Sequence, residues 1–275
     1  LVIRAAGGAV RTRIAPTPSG FLHRGNLLNF VLIQKLATSH NWQIHLRIDD
    51  FDELRTRANY VEDIFEKIQQ LSIQIDSGPT SAYELSTTHS QTQRKNLYWD
   101  TLSKMREASD LIFVCCCSRN QLVNDRCVQK CQANSLQFSP GANAIRVRLQ
   151  NTDEVLWRRD NLPAYHLVDV IEDDENQITH VVRGVDLYES TQTQSAIRKI
   201  LNVAAPTYLF HPLVRDSAGM KLSKSQGTDR LTIDSDLAKW LSSQVEIFLP
   251  GLERQLISPI GLGLDQAVPT DDLLC

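Results

Sequence analysis

The chain has no apolar run approaching the ~20 residues that cross a bilayer as a helix, so a helical membrane protein is excluded. It has no internal repeat and no low-complexity segment, which removes solenoids and disordered linkers. It has no excess of charge of either sign: 29 Lys and Arg against 32 Asp and Glu leave a net −3. That balance neither favours nor excludes a nucleic-acid partner, because a local basic patch is enough. The first ten residues, LVIRAAGGAV, carry one arginine and no long apolar stretch, a poor secretory leader. Residues 1–10 are read as an extension before the first strand, and a cytoplasmic location, with no membrane partner, is expected. Cysteine is nearly absent outside one place: five of the six fall between 115 and 131, and the sixth is Cys275. A secreted disulfide scaffold would spread them along a short chain. What is present, 275 residues with 42% hydrophobic content, can bury one good core with room for an inserted subdomain.

The chain is organised around TRIAPTPSGFLHRGN. A β-branched stretch ending at Ile14 meets Pro16, Pro18 and Gly20, and LLNFVLIQKLA then reads as a helix. Strand, irregular loop and helix start form an anion-binding geometry, because free backbone N–H groups and the positive helix end face one point. The two prolines each remove a backbone donor, so the loop cannot simply prolong the strand. Gly25 permits close approach to the backbone, and Asn26 is the expected N-cap. His23 can donate to a phosphate oxygen at the helix start. The plain alternative is an ordinary strand–helix turn with an incidental histidine.

Far downstream lies MKLSKSQG, with Lys221, Ser223, Lys224 and Ser225. Taken together, LHRGN and KLSKS resemble the two signature motifs of the class I aminoacyl-tRNA synthetases. RIAPTPSG resembles the glutamate and glutamine branch in particular. The strand QIHLRI ends in Asp49-Asp50-Phe51-Asp52, similar to an Arg-Ile-Glu-Asp segment of that branch. Asp49 stands where the family's glutamate helps to bind the substrate amino group, with the same charge and one methylene less. The block around AYHL and THVVRGVDLYEST resembles the second half of the same core, with Val185 in place of an acidic residue and Asp186 kept.

The resemblance implies a doubly wound, Rossmann-like α/β class I catalytic core with an inserted acceptor-binding subdomain. It implies L-glutamate as substrate among Arg13, Ala15, Thr17, Asp49, Tyr165 and Arg183. Arg183 is suited to a bidentate fork on the glutamate side chain that lysine could not reproduce. ATP is implied at His23, Gly25, Asn26 and Lys224, with Mg²⁺ brought by ATP. The catalytic set it implies is His23, Asn26, Lys221 and Lys224. Asn26 replaces the family's second histidine and keeps a donor. Arg24 replaces an apolar residue, for which the sequence offers no reason.

Elsewhere the spacing predicts a helix over 58–71 with Val61, Ile64, Ile68 and Leu71 inward. Ser90 is expected to cap a second helix, Ser190 a third over 190–202, and a last helix is expected over 234–248. Cys115, Cys117, Cys127 and Cys131 form two close pairs nine residues apart. Four thiolates can close a tetrahedral structural Zn²⁺ site, with Cys116 pointing away; buried free thiols are the alternative. Truncated members of the synthetase branch resemble this chain at the same place, with Cys127 standing where they have tyrosine or cysteine.

The expected domains are 11–80 and 161–232 for the two halves of the core and 81–160 for the subdomain with the cysteines. A short helical segment, 233–275, completes them. About fifty residues follow the KLSKS stretch, so an anticodon-binding domain is not expected. The resemblance therefore points to the truncated members, which place glutamate on the queuosine base in the anticodon loop of tRNA(Asp). A monomer is expected. Another adenylate-forming enzyme, a minimal tRNA-charging enzyme and a silent RNA-binding paralogue are the competing expectations.

Overall fold

The computed structural model describes residues 9–128, 131–134, 136–214 and 230–257. In chain order the elements are β1 (Arg11–Ile14), α1 (Arg24–His40), β2 (Gln43–Leu46), α2 (Ala58–Gln70), α3 (Ala82–Glu84), α4 (Lys95–Ala108) and β3 (Ile112–Cys115). They continue with β4 (Ala144–Arg148), β5 (Asp153–Trp157), α5 (Tyr165–Glu175), β6 (His180–Gly184), α6 (Tyr188–Leu201), β7 (Thr207–His211) and α7 (Ser235–Ile257). No described helix is long and apolar enough to cross a membrane.

The chain divides into two compact units. The first comprises the described parts of Ala5–Gln91, Asn176–Tyr188 and Pro206–Cys275. Here β1 pairs in parallel with β2, and β6 in parallel with β7. Thr179, at the head of β6, donates its amide to the Arg11 carbonyl and accepts the Arg11 amide on its hydroxyl. These bonds set β6 beside β1, so the strands run β2-β1-β6-β7. The core joins Ile14, Ile44 and Leu46 of the strands to Leu28, Leu32 and Ile33 of α1 and to Leu241 and Val245 of α7. Because α1 packs both on the strands and on α7, seven of its residues are buried rather than one narrow stripe.

α2 buries Val61, Ile64 and Ile68 as expected, with Leu71 half-buried just past its end. α7 starts on Asp234, whose side chain accepts the amides of Asp236 and Leu237. It passes the expected end at Phe248 and runs through Pro250 to Ile257. Proline in a helix costs about 3 kcal/mol, but Leu252 and Leu256 continue the packed face beyond it. Gln255 also hydrogen-bonds both backbone groups of Phe210, which satisfies the outer edge of β7.

The second unit comprises the described parts of Thr92–Glu175 and Glu189–Ala205. Its sheet is antiparallel, in the order β3-β4-β5. Trp99, Trp157 and Phe138 pack as an aromatic group. α5 is held to α4 by Tyr98 donating to Glu172 at 2.6 Å, and Arg94 also pairs with Glu172. Buried Asp173 on α5 pairs with buried Arg198 on α6 at 3.2 Å. Ser190 does not open α6: a 3-10 turn over Val185–Leu187 runs straight into the helix at Tyr188, so Ser190 lies within its first turn.

Candidate active site and metal centre

The helix start after β1 is capped by His23, not by Asn26. The imidazole Nδ1 accepts the Gly25 amide at 3.1 Å, and the Asn26 side chain accepts the His23 amide at 3.1 Å. The pair forms a reciprocal capping box with histidine in the place usually held by serine or threonine. Two acceptances fix the ring: with Nδ1 an acceptor, the neutral imidazole carries its proton on Nε2. The reason is Gly25. A Cβ there would lie 3.0 Å from His23 Cε1 and 3.1 Å from Nδ1, so the space left by the missing side chain is where the ring sits. Arg24 is explained as well, since its guanidinium lies over the Trp240 ring of α7, 5.5 Å from the centroid.

The carboxyl ends of β1 and β2 stay zipped past the strands themselves. Arg47 donates its amide to Ile14, and Asp49 donates to the Pro16 carbonyl at 3.0 Å. Asp49 therefore sits against the Ala15–Thr17 turn. It is buried, and its carboxylate pairs with Arg47 Nε at 2.7 Å and accepts from Gln91 Nε2 at 3.0 Å. Beside it, Asp50 accepts from the Ser90 hydroxyl and the Gln91 amide, both at 2.7 Å. Burial pushes the Asp50 carboxyl above its ordinary value, against those two hydrogen bonds. Ser90 thus leads into the turn before α4 while also serving the acidic pair.

Arg13 is buried on β1, and Arg183 is buried at the end of β6 with its guanidinium over the Tyr208 ring at 5.4 Å. Ala15 and Thr17 are half-buried in the turn. At the end of β7, His211 donates from Nδ1 to the Pro212 carbonyl at 2.8 Å, which leaves Nε2 to accept from Asn29 Nδ2 at 3.2 Å. Asn29 also donates to the Val182 carbonyl, so α1 is tied to β6 and β7 at one point. Burial lowers the His211 pKa below its ordinary value. A Cβ on neighbouring Gly184 would fall 2.5 Å from Asp186 Oδ1, so a side chain there would have to displace the Asp186 carboxylate.

Five of the six expected amino-acid-binding residues thus belong to one unit, Arg13 and Arg183 on β1 and β6 and Ala15, Thr17 and Asp49 in the loops that follow β1 and β2. The carboxyl ends of the strands are where open α/β sheets bind ligands. Tyr165 belongs to the other unit, as the first residue of α5, half-buried with its ring 5.2 Å from that of His166. Lys221 and Lys224 lie outside the described residues. Sequence reading did not single out Gln91, Asn29, Asp63 or His211, whose contacts come from distant parts of the chain.

In the other unit Cys115, Cys117, Cys127 and Cys131 are buried, with their sulfurs all within 4.8 Å of one another. Zn–S bonds of about 2.3 Å in a tetrahedron put sulfurs about 3.8 Å apart; Cys117 lies 3.6 Å from Cys127 and 3.8 Å from Cys131. Burial raises the Cys117 and Cys115 thiols, so the four would gain their anionic form from a cation among them. The Cys127 backbone is pinned at both ends: Asp153 accepts its amide at 2.7 Å, and Arg148 donates to its carbonyl at 3.2 Å. Burial alone would raise Asp153, but Arg148 and that amide bring its carboxyl below the ordinary range. The donor set fits zinc. Cys116 is exposed, but it does not point away as expected: its sulfur lies 3.7 Å from that of Cys131, because the strand ends at Cys115 and side chains no longer alternate.

A parallel α/β sheet with a histidine-capped helix start and buried arginine and carboxylate beyond its strands has the strand-end crevice in which enzymes of this architecture bind ligands. Residues 9–145 and 141–254 match the family described as tRNA synthetases class I (E and Q), catalytic domain, so the chain belongs to that family and is a ligase by class. It is 32% identical over 265 residues to the glutamyl-Q tRNA(Asp) synthetase of Synechococcus sp. (strain CC9605), covering 92% of this chain and 86% of that protein. Against the protein of the same name from Methylococcus capsulatus it is 30% identical over 240 residues, 79% of this chain and 76% of the other. The crystal structure of glutamate-tRNA synthetase from Elizabethkingia anophelis superposes with a TM-score of 0.63 at 21% identity. That superposition covers 80% of this chain and 53% of that one, and it speaks for the fold.

Proposed function

We propose that this protein activates L-glutamate with ATP and Mg²⁺ and transfers it to the queuosine base in the anticodon loop of tRNA(Asp). The carrying observation is similarity to proteins named glutamyl-Q tRNA(Asp) synthetase over most of both chains, joined to a sheet edge that holds Arg183, Asp49 and His23. The glutamate carboxylate attacks the α-phosphate of ATP, and pyrophosphate leaves. Catalysis of this step is mostly placement and charge stabilisation. Arg183 binds the glutamate side chain, with Arg13, Ala15 and Thr17 in the same unit beside it. Asp49 faces the amino group while Arg47 and Gln91 hold its carboxylate still. His23, with its proton on Nε2, and the side-chain amide of Asn26 receive the phosphates, while the backbone amides of Gly25 and Asn26 are taken by the His23 ring and carbonyl. Lys224, supported by Lys221, meets the charge on the leaving pyrophosphate.

The four-cysteine set holds one Zn²⁺. Four thiolates leave no open position, so the metal would supply structure and no chemistry. The queuosine cyclopentene hydroxyl offers an oxygen nucleophile like that of a terminal ribose. A single-stranded loop can splay such a base into a pocket.

The test has two stages. Glutamate-dependent exchange of pyrophosphate into ATP without tRNA is expected. Labelled glutamate should then pass to tRNA from cells that make queuosine and not to tRNA from cells that cannot. Equal labelling of both pools, or label at the 3′ end, refutes the acceptor and indicates a minimal charging enzyme. Exchange without any transfer indicates a different acceptor.

A further inference from the structure

Asp63 lies on α2, outside every motif that marks the active site, and is wholly buried at 0% exposure. Its Oδ2 accepts the amide of Leu22 at 3.1 Å. Its Oδ1 accepts from Nε of Arg230 at 3.0 Å and faces Nζ of Lys67 at 3.5 Å. Lys67 is itself buried and bonded to Glu66 and Gln70. Arg230 reaches Glu66 with its other nitrogen. All these residues belong to one compact unit.

The two ends of this contact are not arbitrary. Leu22 immediately precedes His23, the residue that caps α1. Arg230 follows Lys224 by six residues. A carboxylate is costly to bury, and an apolar residue would pack a helix face more cheaply. What the carboxylate does here is hold a backbone amide of one loop and a guanidinium from the end of another. Groups that act on one triphosphate must keep their separation to well under an ångström or two for the chemistry to proceed.

We propose that Asp63 is a positioning residue for adenylate formation. It moors the loop that carries His23, through the Leu22 amide, to the same buried carboxylate that holds Arg230, and so keeps His23 in place at the start of α1. This rests on the reading of His23 and Lys224 as the groups that handle ATP.

Asp63→Asn would remove the buried one of the two carboxylates that Lys67 and Arg230 share and can fail to fold, so the test is built on Arg230, which is 45% exposed. Wild type, Arg230→Gln and Arg230→Lys are compared by pyrophosphate exchange, thermal unfolding and hydrogen exchange of a peptide covering Leu22. Arg230→Gln is expected to keep its Tm within ~2 °C. It should lower kcat about tenfold with a much smaller change in the KM for glutamate. It should also speed exchange at Leu22, whose amide bonds Asp63 and not Arg230. Arg230→Lys should restore most of kcat and the Leu22 protection. A wild-type kcat in Arg230→Gln, or Leu22 protection unchanged in it, overturns the proposal. If wild type shows no pyrophosphate exchange at all, the functional reading fails instead, and the Leu22 measurement still decides whether the mooring exists.

Discussion

Replacing Gly25 with alanine should separate stability from chemistry. Gly25 sits in the first turn of α1, where alanine is preferred to glycine by up to about 1 kcal/mol. Against this, the new Cβ would stand 3.0 Å from His23 Cε1 and 3.1 Å from Nδ1. The ring must give way by a few tenths of an ångström, and the 3.1 Å cap from the Gly25 amide to Nδ1 lengthens or breaks. Loss of an N-cap costs about 1 kcal/mol. The two effects nearly cancel, so the urea midpoint should stay close to that of wild type. The chemistry has no such compensation. In the proposed mechanism, Nε2 presents the proton to the phosphates only while Nδ1 is held by the backbone. A misplaced catalytic group costs about ten- to a hundredfold. Glutamate-dependent pyrophosphate exchange, measured beside urea unfolding, reads both quantities. A folded Gly25→Ala protein with wild-type exchange would refute the claim that the cap aims His23. A stability loss above about 2 kcal/mol would show that the methyl meets more than a movable ring.

The active-site edge was legible where chemistry follows a continuous stretch of chain. TRIAPTPSGFLHRGN and RIDDFD each run from a strand into its loop, and the backbone bonds from Arg47 to Ile14 and from Asp49 to Pro16 bring the two together. The cysteine cluster was legible for the same reason, since all four cysteines fall within 115–131. Local preference misled where a neighbour's shape decided. Asn26 is the better N-cap by propensity, yet His23 takes the position because Gly25 leaves room for its ring and Asn26 closes the box from the third helical position. The end of α7 was misread because a proline outweighs two later leucines in a local pattern but not in a packed core. Asp63 and Lys67 were invisible in principle: charged residues on a helix are read as its wet face. The partners that bury Asp63 lie 41 and 167 positions away.

Three further outcomes follow from the same geometry. Purified protein should carry one zinc per chain by elemental analysis. Cys117→Ser/Cys131→Ser should lose it with a fall in Tm of about 4–8 °C, the equivalent of about 2 kcal/mol; zinc-free wild type of full stability would refute the site. Arg183→Lys should raise the KM for glutamate by roughly ten- to a hundredfold, the scale of about 1.5–3 kcal/mol for a lost charged hydrogen bond, and an unchanged KM would remove Arg183 from the pocket. The last concerns pH. Burial holds the His211 pKa below its unfolded value, with the Pro212 carbonyl and Asp186 opposing. The unfolded chain therefore binds the proton more readily, and His211 contributes stability that is present above the ordinary histidine pKa and lost as pH falls through the folded one. His180 is lowered by burial too and acts in the same direction. Unfolding free energy measured from pH 7 downward should decline in wild type and decline less steeply in His211→Gln, whose side-chain amide does not titrate. An acid limb as steep in the variant as in wild type would mean that His211 is not buried neutral between α1 and the strand ends, and the bond from Asn29 would have to be reassigned.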